Sequence, residues 1–356
     1  MIPLTNDYVP TLAIRPCEMK GLEFLDDAAK NRMTPCFLLA PWVNTHALER
    51  AMDKIENVFP NRHYFLDLDP DYQPTNPEAP SQQEWAQLME PDNDYANWVA
   101  FVKNYKHAWP VIQTQGQDRP QIRKQIEAMQ ATGRRYCMRI TKNAFPDNIG
   151  DIIAAFAEDG AADYVIILEG GWTENPLGLA SWFGGTITGV LTQIDAQVPI
   201  VVSCTSIPKD YMQYKGLEKV PFSNRELVQQ VGRQSNRSPI IYGDWGSTRP
   251  REVRRGGRKP LERIDYPTSS TWYIARNKDE KWTFKKAAKK LVSSDVWNGK
   301  LGVWGERMIM DTDQGLETGI DTYQKNIASR VNIHLHQQAY YGSESAKFST
   351  EDDWED

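Results

Sequence analysis

Apolar residues come in short runs that close on polar or charged ones, eight times along the first two-thirds of the chain. The runs are Val9–Arg15, Cys36–Trp42, His63–Asp69, Trp109–Gln115, Tyr136–Lys142, Asp163–Glu169, Pro199–Thr205 and Pro239–Trp245. Their starts are 27, 27, 46, 27, 27, 36 and 40 residues apart. Most gaps hold a stretch with helical periodicity: Thr45–Val58, Asp94–Tyr105, Pro120–Thr132, Asn148–Asp159 and Ser223–Arg233. Thr45 is a plausible N-cap, and Ser223 with Glu226 reads as a capping box. The Pro-rich insert Pro70–Pro80 accounts for the longest gap. Strand, crossover helix and parallel strand in repetition predict a (β/α)8 TIM-like barrel, with its chemistry at the C-terminal strand ends.

After the eighth run the pattern changes. Arg249–Arg263 holds seven basic residues in fifteen, against two acidic ones. Then come Thr271–Arg276 (TWYIAR), which reads as an extra strand, the basic helix Phe284–Leu291 and a block from Trp297 to Gly342. The chain divides into a barrel over 1–265, an integrated C-terminal α+β extension over 266–342, and an acidic tail over 343–356 that ends in EDDWED and is expected to be disordered.

Composition bounds the function. Of 356 residues, 40% are apolar and 11% aromatic, enough for a large core. A net charge of −6 argues against general nucleic-acid binding and leaves room for local patches. The N-terminus shows no secretory signal, and no run approaches the roughly 18 apolar residues of a membrane span. The four cysteines, Cys17, Cys36, Cys137 and Cys204, form no CxxC pair and read as reduced thiols in a cytoplasmic protein.

Side chains alternate along strands, so the candidate chemistry follows from phase. Asp67 and Asp69 share a face, as do Gln113 and Gln115, and Ser203 and Thr205. Arg15, Arg139, Glu169 and Asp244 complete a mouth crowded with charge. Buried charges need partners or a metal. The four carboxylates Asp67, Asp69, Glu169 and Asp244 are therefore candidate ligands for Mg²⁺ or Mn²⁺, and candidate catalytic acids or bases. The plain alternative is that they cap helices or pair with arginines. Arg249 opens the basic stretch, in the position where many barrels bind phosphate. With Arg15, Arg139 and Arg276 it is a candidate anion contact, and Gln113, Gln115, Ser203 and Thr205 are candidate ligand contacts. His334 and His336, two apart in NIHLHQQ, are expected on one face of a strand, as packing residues or half a metal site. EGGW at 169–172 and GDWGS at 243–247 place glycines where tight turns and close ligand approach are possible. The chain carries no P-loop, dinucleotide fingerprint or GxSxG elbow.

Several of these segments together resemble the Beta protein family, named for a protein of a satellite coliphage. The matching residues are Tyr8, Pro10, Leu12, Lys20, Gly21, Glu23 and Thr34–Pro35, with YGDWGS closing the eighth run, TWYIAR, Trp304–Gly305 and Asn332–His334. The similarity spans Tyr8 to about Gln338. The family is associated with phages, satellites and bacterial defence loci, and brings no established catalytic residues. The resemblance implies a defence-associated regulator whose charged mouth senses a phosphate-bearing ligand, or restrains a companion effector protein in the manner of an antitoxin. The alternative read from the residues is a metal-dependent phosphodiesterase or nuclease, although barrels of that kind usually add histidines at the mouth. A third is an interaction protein docking through Trp297, Trp304, Tyr340 and Tyr341.

Overall fold

The computed structural model describes residues 6–159, 163–237, 239–252, 262–343 and 346–348. Eight strands form one all-parallel sheet: β1 (Tyr8–Ala13), β2 (Cys36–Leu39), β3 (Tyr64–Leu68), β4 (Ala108–Pro110), β5 (Tyr136–Thr141), β6 (Tyr164–Trp172), β7 (Ile200–Thr205) and β9 (Ile240–Asp244). Their order is β4-β3-β2-β1-β9-β7-β6-β5. A bridge between Val111 and Cys137, with the Ile112 N–H donating to the Cys137 carbonyl at 2.9 Å, brings the two ends of the sheet together. The result is a nearly closed barrel flanked by helices, consistent with a TIM-like barrel. No helix among the described residues is long and apolar enough to cross a membrane.

Alternation sorts the side chains into two layers. Val9, Leu38, Phe65, Cys137, Val165, Ile167, Val201 and Ile241 fill the barrel interior. The opposite phase, including Leu12, Phe37, Leu66, Met138, Ile166, Leu168 and Val202, packs outward against the helices. Two cores on the two faces of one sheet explain why the strands read as nearly continuous apolar runs.

Local signals set the helices, with some differences from the pattern. Asp118 and Gln121 form a reciprocal capping box that starts the helix Arg119–Gln130. The helix Glu49–Val58 begins later than expected. Thr45 does not cap it; its hydroxyl donates to the Trp42 carbonyl, and Glu84 accepts from the Leu48 N–H at 2.7 Å instead. Ser223 precedes the helix Asn224–Ser235 without a side-chain capping bond. β4 stops at Pro110 rather than running to Gln115. The Gln125 side chain takes over there, bonding both the N–H and the carbonyl of Gln113 in place of a neighbouring strand.

A second, three-stranded antiparallel sheet has the order β10 (Ile264–Pro267), β11 (Thr271–Asn277), β8 (Lys215–Pro221). β8 leaves the chain between β7 and β9, so this sheet joins two distant segments. The expected strand at TWYIAR is β11, and the expected basic helix is Phe284–Val292. The helices Trp304–Gln314 and Tyr323–Ala339 follow. The latter packs on the first helix, Pro16–Glu23, where the Asn332 amide donates to the Gly21 carbonyl at 3.0 Å. His334 and His336 lie on this helix and not on a strand. Nearly every side chain from Ala328 to Gln338 is buried there, so the polar–apolar alternation of NIHLHQQ reflects burial all round a helix. Residues 253–261 of the basic stretch and the acidic end Glu351–Asp356 lie outside the described residues. Within the tail, Ala346–Phe348 form a short 3-10 turn.

The barrel interior leaves little room at β9. A Cβ on Gly243 would stand 2.8 Å from Val201 Cγ1, 2.9 Å from Ser203 Cβ and 3.1 Å from the Val9 carbonyl oxygen. Gly150, in the helix Ile149–Ala157, would meet nothing within 4 Å. Gly243→Ala is expected to lower the unfolding free energy by roughly 1–3 kcal/mol through overpacking. Gly150→Ala is expected to leave it unchanged or raise it by up to about 1 kcal/mol. Denaturant melts of the two variants check the pair.

Candidate functional site

Inside the mouth, the inward phase of β3, β5, β6 and β7 brings Asp67, Arg139, Glu169 and Ser203 together. Arg139 Nη1 donates to Asp67 Oδ2 at 2.9 Å, and Gln113 Nε2 donates to Asp67 Oδ1 at 2.8 Å. Glu169 accepts from Ser203 Oγ at 2.9 Å and from the Gly171 N–H at 2.7 Å. Gly171 adopts φ 71°, which lets its N–H turn back onto the carboxylate. Burial pushes the Glu169 carboxyl up; Arg139 and these hydrogen bonds offset only part of that.

Above this floor, residues 245–252 after β9 cross the mouth. Thr205 Oγ1 donates to the Thr248 carbonyl at 2.8 Å. Arg15 grips Glu18 with two Nε bonds of 2.8 and 2.9 Å and also reaches the Arg249 carbonyl at 3.0 Å. Arg251 bonds Asp69 through Nε. Burial raises the Asp69 carboxyl, and Arg251 works against that rise.

Asp244 is not part of this mouth. The inward position of β9 is Gly243, so Asp244 points outward to the helix layer. There it accepts from Tyr8 Oη at 2.9 Å, Tyr242 Oη at 2.7 Å and the Gly246 N–H at 2.8 Å. His334 Nε2 lies 2.7 Å from Oδ2, the oxygen that also takes Tyr242, while Tyr8 and Gly246 share Oδ1. Burial would raise the Asp244 carboxyl, but His334 and these donors outweigh it and hold it low. Gln115 is exposed, and only its carbonyl is engaged, by Tyr95.

The four carboxylates thus have separate partners. Among the described residues no three His, Cys, Asp or Glu side chains group as a metal site. With each carboxylate held by its own partners, the donor set does not fit a resident Mg²⁺ or Mn²⁺.

The open feature is a cleft of about 710 Å³ beside the mouth. Its wall is basic: Arg15, Lys209, Arg249, Arg251, Arg263, Arg276 and Arg330. Arg263 just before β10, Arg276 on β11 and the helix Tyr323–Ala339 supply the far side. Asp265 on β10 takes both Arg263 and Arg330, at 2.7 and 2.5 Å. Tyr211 and Tyr323 sandwich the Arg263 guanidinium, with ring centroids 3.6 and 4.5 Å away. Arg276 differs from its neighbours. It donates to the Tyr211 carbonyl, its Nε has no partner, and among the described residues no carboxylate lies within salt-bridge distance. It is only 3% exposed. Burial, and then the like charge of Arg263, pull its pKa below the ordinary value.

Arg276, Arg15 and Arg249, read from the sequence as candidate anion contacts, all line this cleft. Arg251 and Arg263 lay in the basic stretch without being singled out. Arg330 and Asp265 carried no signal, because one sits in a helix and the other in a short strand, 65 residues apart.

These features define a parallel β/α barrel whose mouth is closed by ion pairs and flanked by an arginine-lined cleft. The chain belongs to the Beta protein family, whose model matches residues 8–340. It is 26% identical to protein beta of Enterobacteria phage P4 over 360 residues, covering 98% of this chain and 97% of that protein.

Asp265 provides a test of the wall. Burial raises its carboxyl, but Arg263 and Arg330 outweigh that and hold it below 3.8. A depressed folded pKa stabilises the protein above the unfolded value and is lost as pH falls through the folded one. Asp265→Asn leaves two buried guanidiniums unmatched and is expected to cost about 3–5 kcal/mol at pH 7. The gap from wild type is expected to shrink steadily below pH 3.8, as urea melts across the acid range will show.

Proposed function

We propose that the chain is a sensor: the cleft binds a phosphate-bearing ligand, and occupancy sets whether a companion effector protein is restrained. The observation that carries the reading is Arg276, a buried guanidinium without a carboxylate on the wall of an open cleft. A buried cation is costly until an anion reaches it. Arginine's planar fork suits phosphate oxygens, and the cleft's size falls within the usual range for small-molecule sites. In this reading residues 266–342 act as an integrated extension of the barrel, since they supply Arg276 and Arg330. The phage-linked kinship motivates the companion effector and the role in defence, and a cytoplasmic location belongs to the same reading.

A metal-dependent phosphodiesterase would need Asp67, Asp69, Glu169 and Asp244 around shared ions. Asp244 faces outward and the others are engaged by Arg139, Arg251 and Ser203, so the geometry lends that alternative no support. The phosphate contacts here are gathered into one cleft.

Thermal melts at constant ionic strength test the reading. Inorganic phosphate at a hundred times its dissociation constant is expected to stabilise the folded state by about 2.7 kcal/mol. Chloride is expected to give no such rise, and Arg276→Gln to remove the phosphate effect. Mg²⁺ or Mn²⁺ alone is expected to leave the midpoint unchanged. A metal-induced rise abolished by Asp67→Asn would favour the phosphodiesterase instead.

A further inference from the structure

The same cleft says more about its ligand, on the premise that it is an anion site. Its seven wall cations face six carboxylates. Three stand on the wall, Asp71, Asp210 and Glu252, and three lie behind it, Glu18, Asp69 and Asp265. Among the described residues one positive charge is left over, and Arg276 has no carboxylate within salt-bridge distance among them. A single phosphate group, about −1.5 to −2 at pH 7, already exceeds that excess. A triphosphate would bring several further negative charges into a wall where Arg15, Arg251, Arg263 and Arg330 are already paired with carboxylates.

The surface around Arg276 is not uniformly polar. Arg276 Nη2 lies 3.9 Å from Met212 Sδ, and Ile207 and Tyr72 also line the cleft. Met212 is exposed, a flexible and polarisable side chain suited to the face of a ring. Gln73 and Thr75 add neutral hydrogen-bonding groups on the same wall. A single anion beside apolar faces and a few amide or hydroxyl partners matches a molecule with one phosphate and one flat, polar-edged ring.

We infer that the cleft binds a nucleoside monophosphate, with the phosphate on Arg276 and the base against Met212, Ile207 and Tyr72.

Isothermal titration calorimetry on the full chain tests this. The probes are the 5′-monophosphates of the four common ribonucleosides, their triphosphates, the unphosphorylated nucleosides, ribose 5-phosphate and inorganic phosphate. At least one monophosphate is expected to bind tenfold or more tightly than inorganic phosphate, ribose 5-phosphate, its own nucleoside and its own triphosphate. Arg276→Gln is expected to weaken it tenfold or more and Arg276→Lys to recover part of the loss. Arg276→Gln removes a buried charge that no carboxylate balances, so an unchanged circular dichroism spectrum and melting midpoint are expected to show it folded. If inorganic phosphate or ribose 5-phosphate binds as well as the nucleotides, the base site is wrong and the anion site stands. If the triphosphate binds best, the single-phosphate argument is overturned. If Arg276→Gln leaves affinity intact, the placement is overturned. If no anion binds, the sensor reading falls with it.

Discussion

Buried carboxylates at the ends of the barrel strands must be neutralised, and the chain does this with guanidiniums brought from far along the sequence. Asp67 meets Arg139, 72 residues away, and Asp69 meets Arg251, 182 residues away. Arg15 pairs locally with Glu18, yet its other contacts, Thr248 and the Arg249 carbonyl, lie more than 230 residues on. Each pair ties a different strand or loop into one closure. Removing one partner of such a pair leaves a charge that neither water nor the apolar interior can satisfy, which fixes the geometry of the mouth.

The same constraint decides where a ligand can act. The mouth itself is electrostatically closed, because Asp67, Asp69 and Glu169 already have protein partners. The unmatched charge has moved outward, to the cleft where the loops after β3, β7 and β9 meet β11 and the helix Tyr323–Ala339. The three-stranded sheet matters for this reason: it carries Arg276 on β11 and positions Asp265 to hold Arg263 and Arg330. A barrel alone would have no far wall.

Much of this was readable before the structure. All eight barrel strands begin within one residue of the starts that the apolar runs give, because a parallel strand buried on both faces leaves a strong signal. The ends were less readable. Gln125 replaces a strand partner at Gln113, and no local pattern announces a side chain that imitates a backbone. β8 was missed because KGLEKVP is charged and partly exposed, without an apolar run, and it pairs with β11 more than fifty residues on. The inward phase of Asp67, Arg139, Glu169 and Ser203 followed from alternation. Asp244 did not, since the phase of β9 was set by Gly243, the residue small enough for the crowded interior. His334 and His336 alternate like strand residues, and only the burial of every side of their helix separates the two readings.

The most direct test is where an anion sits. A crystal soaked in selenate, a phosphate-shaped anion with a strong anomalous signal, would report its position without assuming a function. The account predicts an anomalous peak in the cleft, within hydrogen-bonding distance of the Arg276 guanidinium, with the Asp67–Arg139 and Asp69–Arg251 pairs intact beneath it. An empty cleft, or a peak at the barrel mouth with those pairs broken, would contradict it.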